Sequence, residues 1–158
     1  FLGARLQRAD LGGARLHGAD LMAARLQRAR LNLADLHGAR LWQAWLQGAG
    51  LVEARLQGAD LRLARFDENT DLTEASLHRA AVRSIKLLSI PQIASHFPSM
   101  FGDASVTLPN GHGPGHEKWP AHWPKFELGL DFEKQWHEWQ ADPDTYTPPD
   151  PPDPETTA

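Results

Sequence analysis

Residues 16–41 read LHGADLMAARLQRARLNLADLHGARL. Leucine returns at every fifth position, and alanine stands two residues before each return: Ala19 before Leu21, Ala24 before Leu26, Ala29 before Leu31. Outward from this stretch the register is unbroken from Phe1 to Phe66, with fourteen large apolar positions and thirteen alanines from Ala4 to Ala64. After Phe66 one residue is inserted, and the pattern resumes at Leu72, Leu77 and Val82, preceded by Thr70, Ala75 and Ala80. Leu87 with Ile85 reads as one further, degenerate unit.

Neither regular element can bury this pattern. In an α-helix five residues turn about 500°, so the leucines drift about 140° per unit and spiral around every side. In a flat strand an odd spacing sends successive leucines to opposite faces. A short extended piece followed by a corner solves the problem, because the corner resets side-chain direction and lets Ala and Leu both face an axis. That is a solenoid. Local propensity points elsewhere: residues 1–66 are rich in Ala, Leu, Arg and Gln, and Val52 is their only β-branched member. Periodicity is the stronger signal.

The coil length is also legible. Gln7, Gln27 and Gln47 agree at a spacing of twenty, as do His17 and His37, and Gly18, Gly38 and Gly58. Twenty residues make four units per coil, a square cross-section, with coils stacked about 4.8 Å apart. The runs ADLGGARL, ADLMAARL and GADLRLARF resemble the pentapeptide-repeat family, whose consensus is A-(D/N)-L-x-x. The resemblance covers about residues 1–82 and implies an all-β solenoid, a right-handed quadrilateral β-helix of about four coils. The sequence departs from the consensus before Leu, where Arg often replaces Asp or Asn, as at Arg5, Arg15, Arg25, Arg30, Arg40, Arg55 and Arg65.

A twenty-residue coil stacks the outward residues into columns. Asp20–Arg40–Asp60 and Arg15–Asp35–Arg55 alternate in sign, which fixes register and reads first as solvated surface. A third column is Arg5–Arg25–Trp45–Arg65, and a fourth, one corner away, is Met22–Trp42–Arg62. Both place a Trp ring beside guanidinium groups, the geometry of cation–π contact. Met22, Trp42, Trp45 and Leu63 form the candidate exposed patch. The first reading is that this chain's own C-terminal segment docks there. A protein partner or self-association is the second.

The chain has 158 residues, no cysteine and a net charge of −4, but the average conceals a split. Residues 1–82 carry 11 basic and 9 acidic side chains, whereas residues 83–158 carry 5 and 11. Some members of the family are acidic rods that imitate duplex DNA and protect DNA gyrase from quinolones. Such mimicry needs a continuous negative surface, and a slightly basic rod of roughly 20 Å disfavours it. Nucleic-acid binding is not expected either, since Asp interrupts Arg columns and no Lys precedes Lys86.

The C-terminal half reads as a cap. Ser89 and Pro91 open a short helix with Ile90, Ile93 and Phe97 on one side, ended by Pro98. An extended piece at Ser105–Leu108 and a Gly/Pro/His loop at Asn110–His116 follow. Asp131 is positioned to cap a helix whose Phe132, Trp136 and Trp139 share one face and must bury against the solenoid. The organisation is thus a β-helix at 1–88, a Trp-rich capping segment at 89–141, and an acidic Pro-rich tail at 142–158, expected to be disordered.

The runs FGDASVTLPNG, PAHWPKFEL and FEKQWHEWQADPDTYTPP resemble the tail of a group of alphaproteobacterial pentapeptide-repeat proteins with hydrophobic N-terminal regions. That resemblance implies a cytoplasmic module, at the membrane face if spans lie upstream; no span is expected within 1–158. His112, His116, His122 and His137 lie near Glu117 and Asp131, but their spacing fits no zinc-ligand pattern. No catalytic residue, cofactor site or metal site is expected. The function read from the sequence is a non-enzymatic structural or protein-interaction module.

Overall fold

A computed structural model describes residues 1–85, 91–108 and 112–152. Its first half is a stack of near-identical coils. In each unit the leucine carbonyl accepts a hydrogen bond from the alanine three residues on, as from Ala24 N–H to Leu21 at 3.1 Å. The residue between the turn's first member and that alanine takes a left-handed conformation: Gly18, Ala23, Arg28 and Leu33 have φ of 61°, 53°, 58° and 62°. This is the positive φ that a type II turn requires at its third position. The corner tolerates Leu and Arg there, at a cost on the order of 1 kcal/mol each relative to glycine.

Every corner turns the chain onto a new wall, and the walls stack in parallel. Bridges join Arg5 to Arg25 and Arg25 to Trp45, Asp10 to Arg30, Arg15 to Asp35, and Asp20 to Arg40. The offset of twenty gives four walls. After the extra residue at the Phe66 corner the offset becomes twenty-one, as in Gly50 to Asp71 and Asp60 to Ala81. Each unit gives three hydrogen bonds to its neighbours; Leu21 N–H reaches Arg40 O, Ala23 N–H reaches Trp42 O, and Arg25 N–H reaches Ala4 O, all within 2.9 Å. Walls are single bridge residues between corners, so the solenoid has no long strands.

Inside, Leu21 to Leu61 are at most 1% exposed, and the alanines from Ala24 to Ala59 fill the space between them. Burying each leucine contributes about 1.5–3 kcal/mol, so the repeated core is the main driving force.

The stack continues beyond the repeats. Residues 99–107 lie over residues 79–85: Arg79 N–H donates to Ser99 O, Val82 N–H to Phe101 O, Phe101 N–H to Ala80 O and Thr107 N–H to Ile85 O. Phe101 thereby extends the column of Asp60 and Ala81. A 3₁₀ helix spans Pro91–Ser99 and buries Ile93 and Phe97. It runs through Pro98 rather than ending before it. Ile90 and part of the 110–116 loop lie outside the described residues.

Trp119 and Trp123 close the end of the main core. Trp123 donates from Nε1 to Met100 O at 2.8 Å, and its ring passes so close to Gly102 that a Cβ there would sit 2.7 Å away. A helix, α1, spans Phe132–Ala141. Asp131 stands at its N-cap position but makes no side-chain cap hydrogen bond. The tail is not free up to residue 152, contrary to the expectation from composition. Tyr146 Oη donates to Gln135 at 2.9 Å and its ring meets Phe101 edge-on, while Pro148, Pro149 and Pro151 help line a cleft beside Trp123. Among the described residues no helix is long and apolar enough to cross a membrane.

Candidate interaction surface

The patch residues gather along one corner and the wall beside it. Met22 and Trp42 are half-buried on successive coils, and Leu63, 36% exposed at φ 59°, stands on the next. Met22, Arg40, Trp42, Arg62, Leu63 and Glu133 line a groove of about 410 Å³. Around the corner a second groove of about 590 Å³ is lined by Gln43, Trp45, Gln47, Leu63, Arg65 and Phe66, among others. Leu63 and Ser84 belong to both. Leu63 is therefore a ridge between two adjoining grooves.

The two tryptophans differ in their partners. Trp45 lies between guanidinium groups, with Arg65 at 4.5 Å and Arg25 at 5.6 Å from the ring centroid. Trp42 was expected to pair with Arg62 in the same way and does not. Arg62 turns instead to Asp60, at 2.6 and 2.8 Å, and to Glu133 at 3.5 Å, with its guanidinium over Phe132 and Trp136. The hydrogen bonds to Asp60 raise its pKa above the ordinary arginine value, burial opposes them, and Glu133 adds to the rise. Two carboxylates and two ring faces outbid one indole.

The expected docking of the C-terminal segment on Trp42 and Trp45 also takes a different form. Phe132, Trp136 and Trp139 are all buried, but against Ala81 and Phe101, with Leu128 beside them. Trp136 Nε1 donates to Arg79 O at 3.1 Å, and Gln140 donates to the same carbonyl at 3.0 Å. The small Ala81 leaves room for the aromatic stripe at the last coil. From α1 only Glu133 lines a groove of the patch.

The remaining candidates are dispersed. His112 and His116 stack with centroids 3.6 Å apart; His122 contacts Met100 O through Nε2 at 2.6 Å and stacks on Trp139; His137 lies 3.8 Å from Glu133. Among the described residues no three metal-ligating groups converge. His17 and His37 stack in the ladder that their spacing implied, at 5.0 Å.

Sequence reasoning passed over Asp103. Fully buried, it accepts hydrogen bonds from Ser105 and from Leu128 N–H at 2.8 Å and lies 3.8 Å from Arg83, tying the last pass of chain to the segment before α1. Its signal was an acid two residues before a turn amide, the same relation seen at Asp20 and Met22.

The pentapeptide-repeat profile matches residues 1–38, 34–68 and 51–87, in eight copies. The chain belongs to the pentapeptide-repeat family. Membership implies a right-handed quadrilateral β-helix, consistent with the four stacked walls. Among solved structures this pentapeptide-repeat protein is similar to one from the thylakoid lumen of Arabidopsis thaliana, at 26% identity and a TM-score of 0.43, over 68% of this chain and 59% of that one. It is similar to Rfr23 of the cyanobacterium Cyanothece, at 34% identity and a TM-score of 0.38, over 51% and 50%. QnrB1, a plasmid-mediated fluoroquinolone resistance protein, gives 12% identity and a TM-score of 0.37 over 89% and 72%. The chain thus spans less than two thirds of the length of the first two. Among curated protein sequences none matches it significantly.

Proposed function

We propose that this pentapeptide-repeat protein is a non-enzymatic interaction scaffold whose contact face is the corner of Met22, Trp42, Trp45 and Leu63. One observation carries the reading. The chain's own aromatic cap seats elsewhere, leaving two adjoining grooves open on either side of Leu63. Clefts that mix aromatic, aliphatic and arginine side chains are the kind in which interface energy concentrates. A rigid stack of coils holds their backbone in place, which lowers the conformational entropy lost on binding. The reading is favoured over DNA mimicry because mimicry asks for an unbroken run of negative charge, whereas these columns alternate in sign or are basic.

The test is capture from extracts of the source cell by immobilised full chain, beside sedimentation to detect self-association. A Trp42→Ala/Leu63→Ser variant is expected to lose the captured partner, or the self-association, while keeping its circular dichroism. Equal capture by the folded variant, or no capture and no self-association by the wild type, would refute the scaffold reading.

A further inference from the structure

The four walls are not equivalent in charge. On three of them each column carries Asp as well as Arg, and ion pairs form up the stack: Arg30 with Asp10, Arg40 with Asp20, Arg55 with Asp35, at 3.4–3.6 Å. The wall of Arg5, Arg25, Trp45 and Arg65 carries no acid, and the corner that follows adds Arg8 and Arg28. All five arginines are exposed, and none makes an ion pair among the described residues. Asp67 and Glu68 close this corner at the fourth coil, where the Asp67 carboxylate is already engaged by Gly48 N–H, Asn69 N–H and Thr70.

This arrangement weakens the fold in two ways. Arg5 and Arg25 bridge directly, and like charges opposite one another in a ladder repel. Arg at this position also forgoes the cap that Asp supplies elsewhere, where Asp Oδ1 accepts the N–H two residues on. On the other walls Arg30, Arg40 and Arg55 recover something through their ion pairs; here no arginine has one among the described residues. A run of such departures on one face, offset inside the chain only by the stacking of Arg25 and Arg65 on Trp45, marks a face shaped by something outside it.

We propose that this wall binds an acidic peptide segment of a partner protein. The inference rests on the scaffold reading and names the chemistry of the partner. Glutamate and aspartate carboxylates match the guanidinium fork, and the adjacent groove beside Trp45 and Leu63 has room for an apolar side chain of the same segment. A single-stranded nucleic acid is the poorer fit, because it needs open aromatic faces for base stacking, and Arg25 and Arg65 cover both faces of Trp45. A membrane is poorer still, since that ring is the wall's one aromatic and it is covered.

Fluorescence anisotropy of labelled poly-glutamate with the full chain tests this. We expect saturable binding that weakens with salt, falls about tenfold in Arg25→Glu, and stays within about twofold in Arg79→Glu, which makes the same charge change at a distant corner. Arg25→Lys should fall between. Absence of saturable binding, equal losses in the two Glu variants, tighter binding of oligothymidylate, or association only with phosphatidylglycerol vesicles would each overturn the proposal. If extract capture still depends on Trp42 and Leu63 while poly-glutamate never binds, the acidic-peptide inference falls alone.

Discussion

The residue before each buried leucine decides how the next turn is finished. Asp10, Asp20, Asp35, Asp60 and Asp71 each turn Oδ1 back to the N–H two residues on, at 3.0–3.2 Å. That N–H takes no part in the ladder between coils, which gives the family's preference for Asp a physical cause. Gly50 has no carboxylate, and Asn32 on the coil before it supplies the missing acceptor, taking Val52 N–H at 3.1 Å. A Cβ at position 50 would lie 2.8 Å from that Asn32 oxygen, so the two residues form one device.

The inserted residue at the Phe66 corner needs a similar repair. Asp67 accepts Gly48 N–H at 2.8 Å, and Thr70, in place of alanine, donates to Leu46 O at 3.0 Å. Asp67→Ala strands the Gly48 amide and should cost about 1–3 kcal/mol, read as a lower urea midpoint. Burial pushes the Asp67 carboxyl up, but the hydrogen bonds from Gly48, Thr70 and Asn69 outweigh it and hold the pKa below its ordinary 3.8. The stabilisation is therefore present above that value and lost as pH falls through the lower folded value. Asp67→Ala should lack this step, and an unchanged midpoint would show the bonds to be incidental.

At the scale of elements, the repeats were legible and the cap was legible only in part. Five-residue spacing excludes helix and flat strand by arithmetic, and the twenty-residue agreement of Gln27 with Gln47 gives the coil. The seat of α1 was not readable, because it depends on which partner Arg62 prefers and on Ala81 leaving a gap beside Phe101. Phe101 carries no repeat signature, yet it extends the ladder. Composition spoke for disorder after residue 142, but Tyr146 packs on Phe101 and bonds to Gln135, and Pro148, Pro149 and Pro151 lie beside Trp123.

Two partly buried histidines, His96 and His122, make the cap sensitive to pH. Burial lowers the His122 pKa from 6.5, and the hydrogen bond to Met100 O opposes that only in part. A folded pKa below the unfolded one means the folded cap resists protonation, so its stability is full above about 6.5 and declines as pH falls from there to the folded value. Thermal melts followed by tryptophan fluorescence should show that decline, and His122→Gln should lessen it, leaving the part due to His96, whose pKa burial also lowers. A decline of the same size in His122→Gln would assign it to another group.

For the whole molecule, stability is a sum over coils and the contacts between them, so the ends govern where opening begins. The two ends differ. In the first coil Leu6 and Leu11 are half-buried and Leu16 is 8% exposed, whereas Leu21 onward is sealed. The last repeat coil is covered by residues 99–107, by Trp119 and Trp123, and by α1 on its flank. Within residues 1–85 of this 158-residue chain, hydrogen exchange should therefore be faster in residues 1–20 than in residues 41–85. Trp139 stacks on His122 and meets Phe101 at 5.6 Å. Trp139→Ala should remove about 3–5 kcal/mol from the cap. Residues 71–85 should then exchange nearly as fast as residues 1–20, while residues 41–60 stay protected by neighbours on both sides. If the first coil outlasts residues 71–85 in the wild type, the cap is not what holds that end closed.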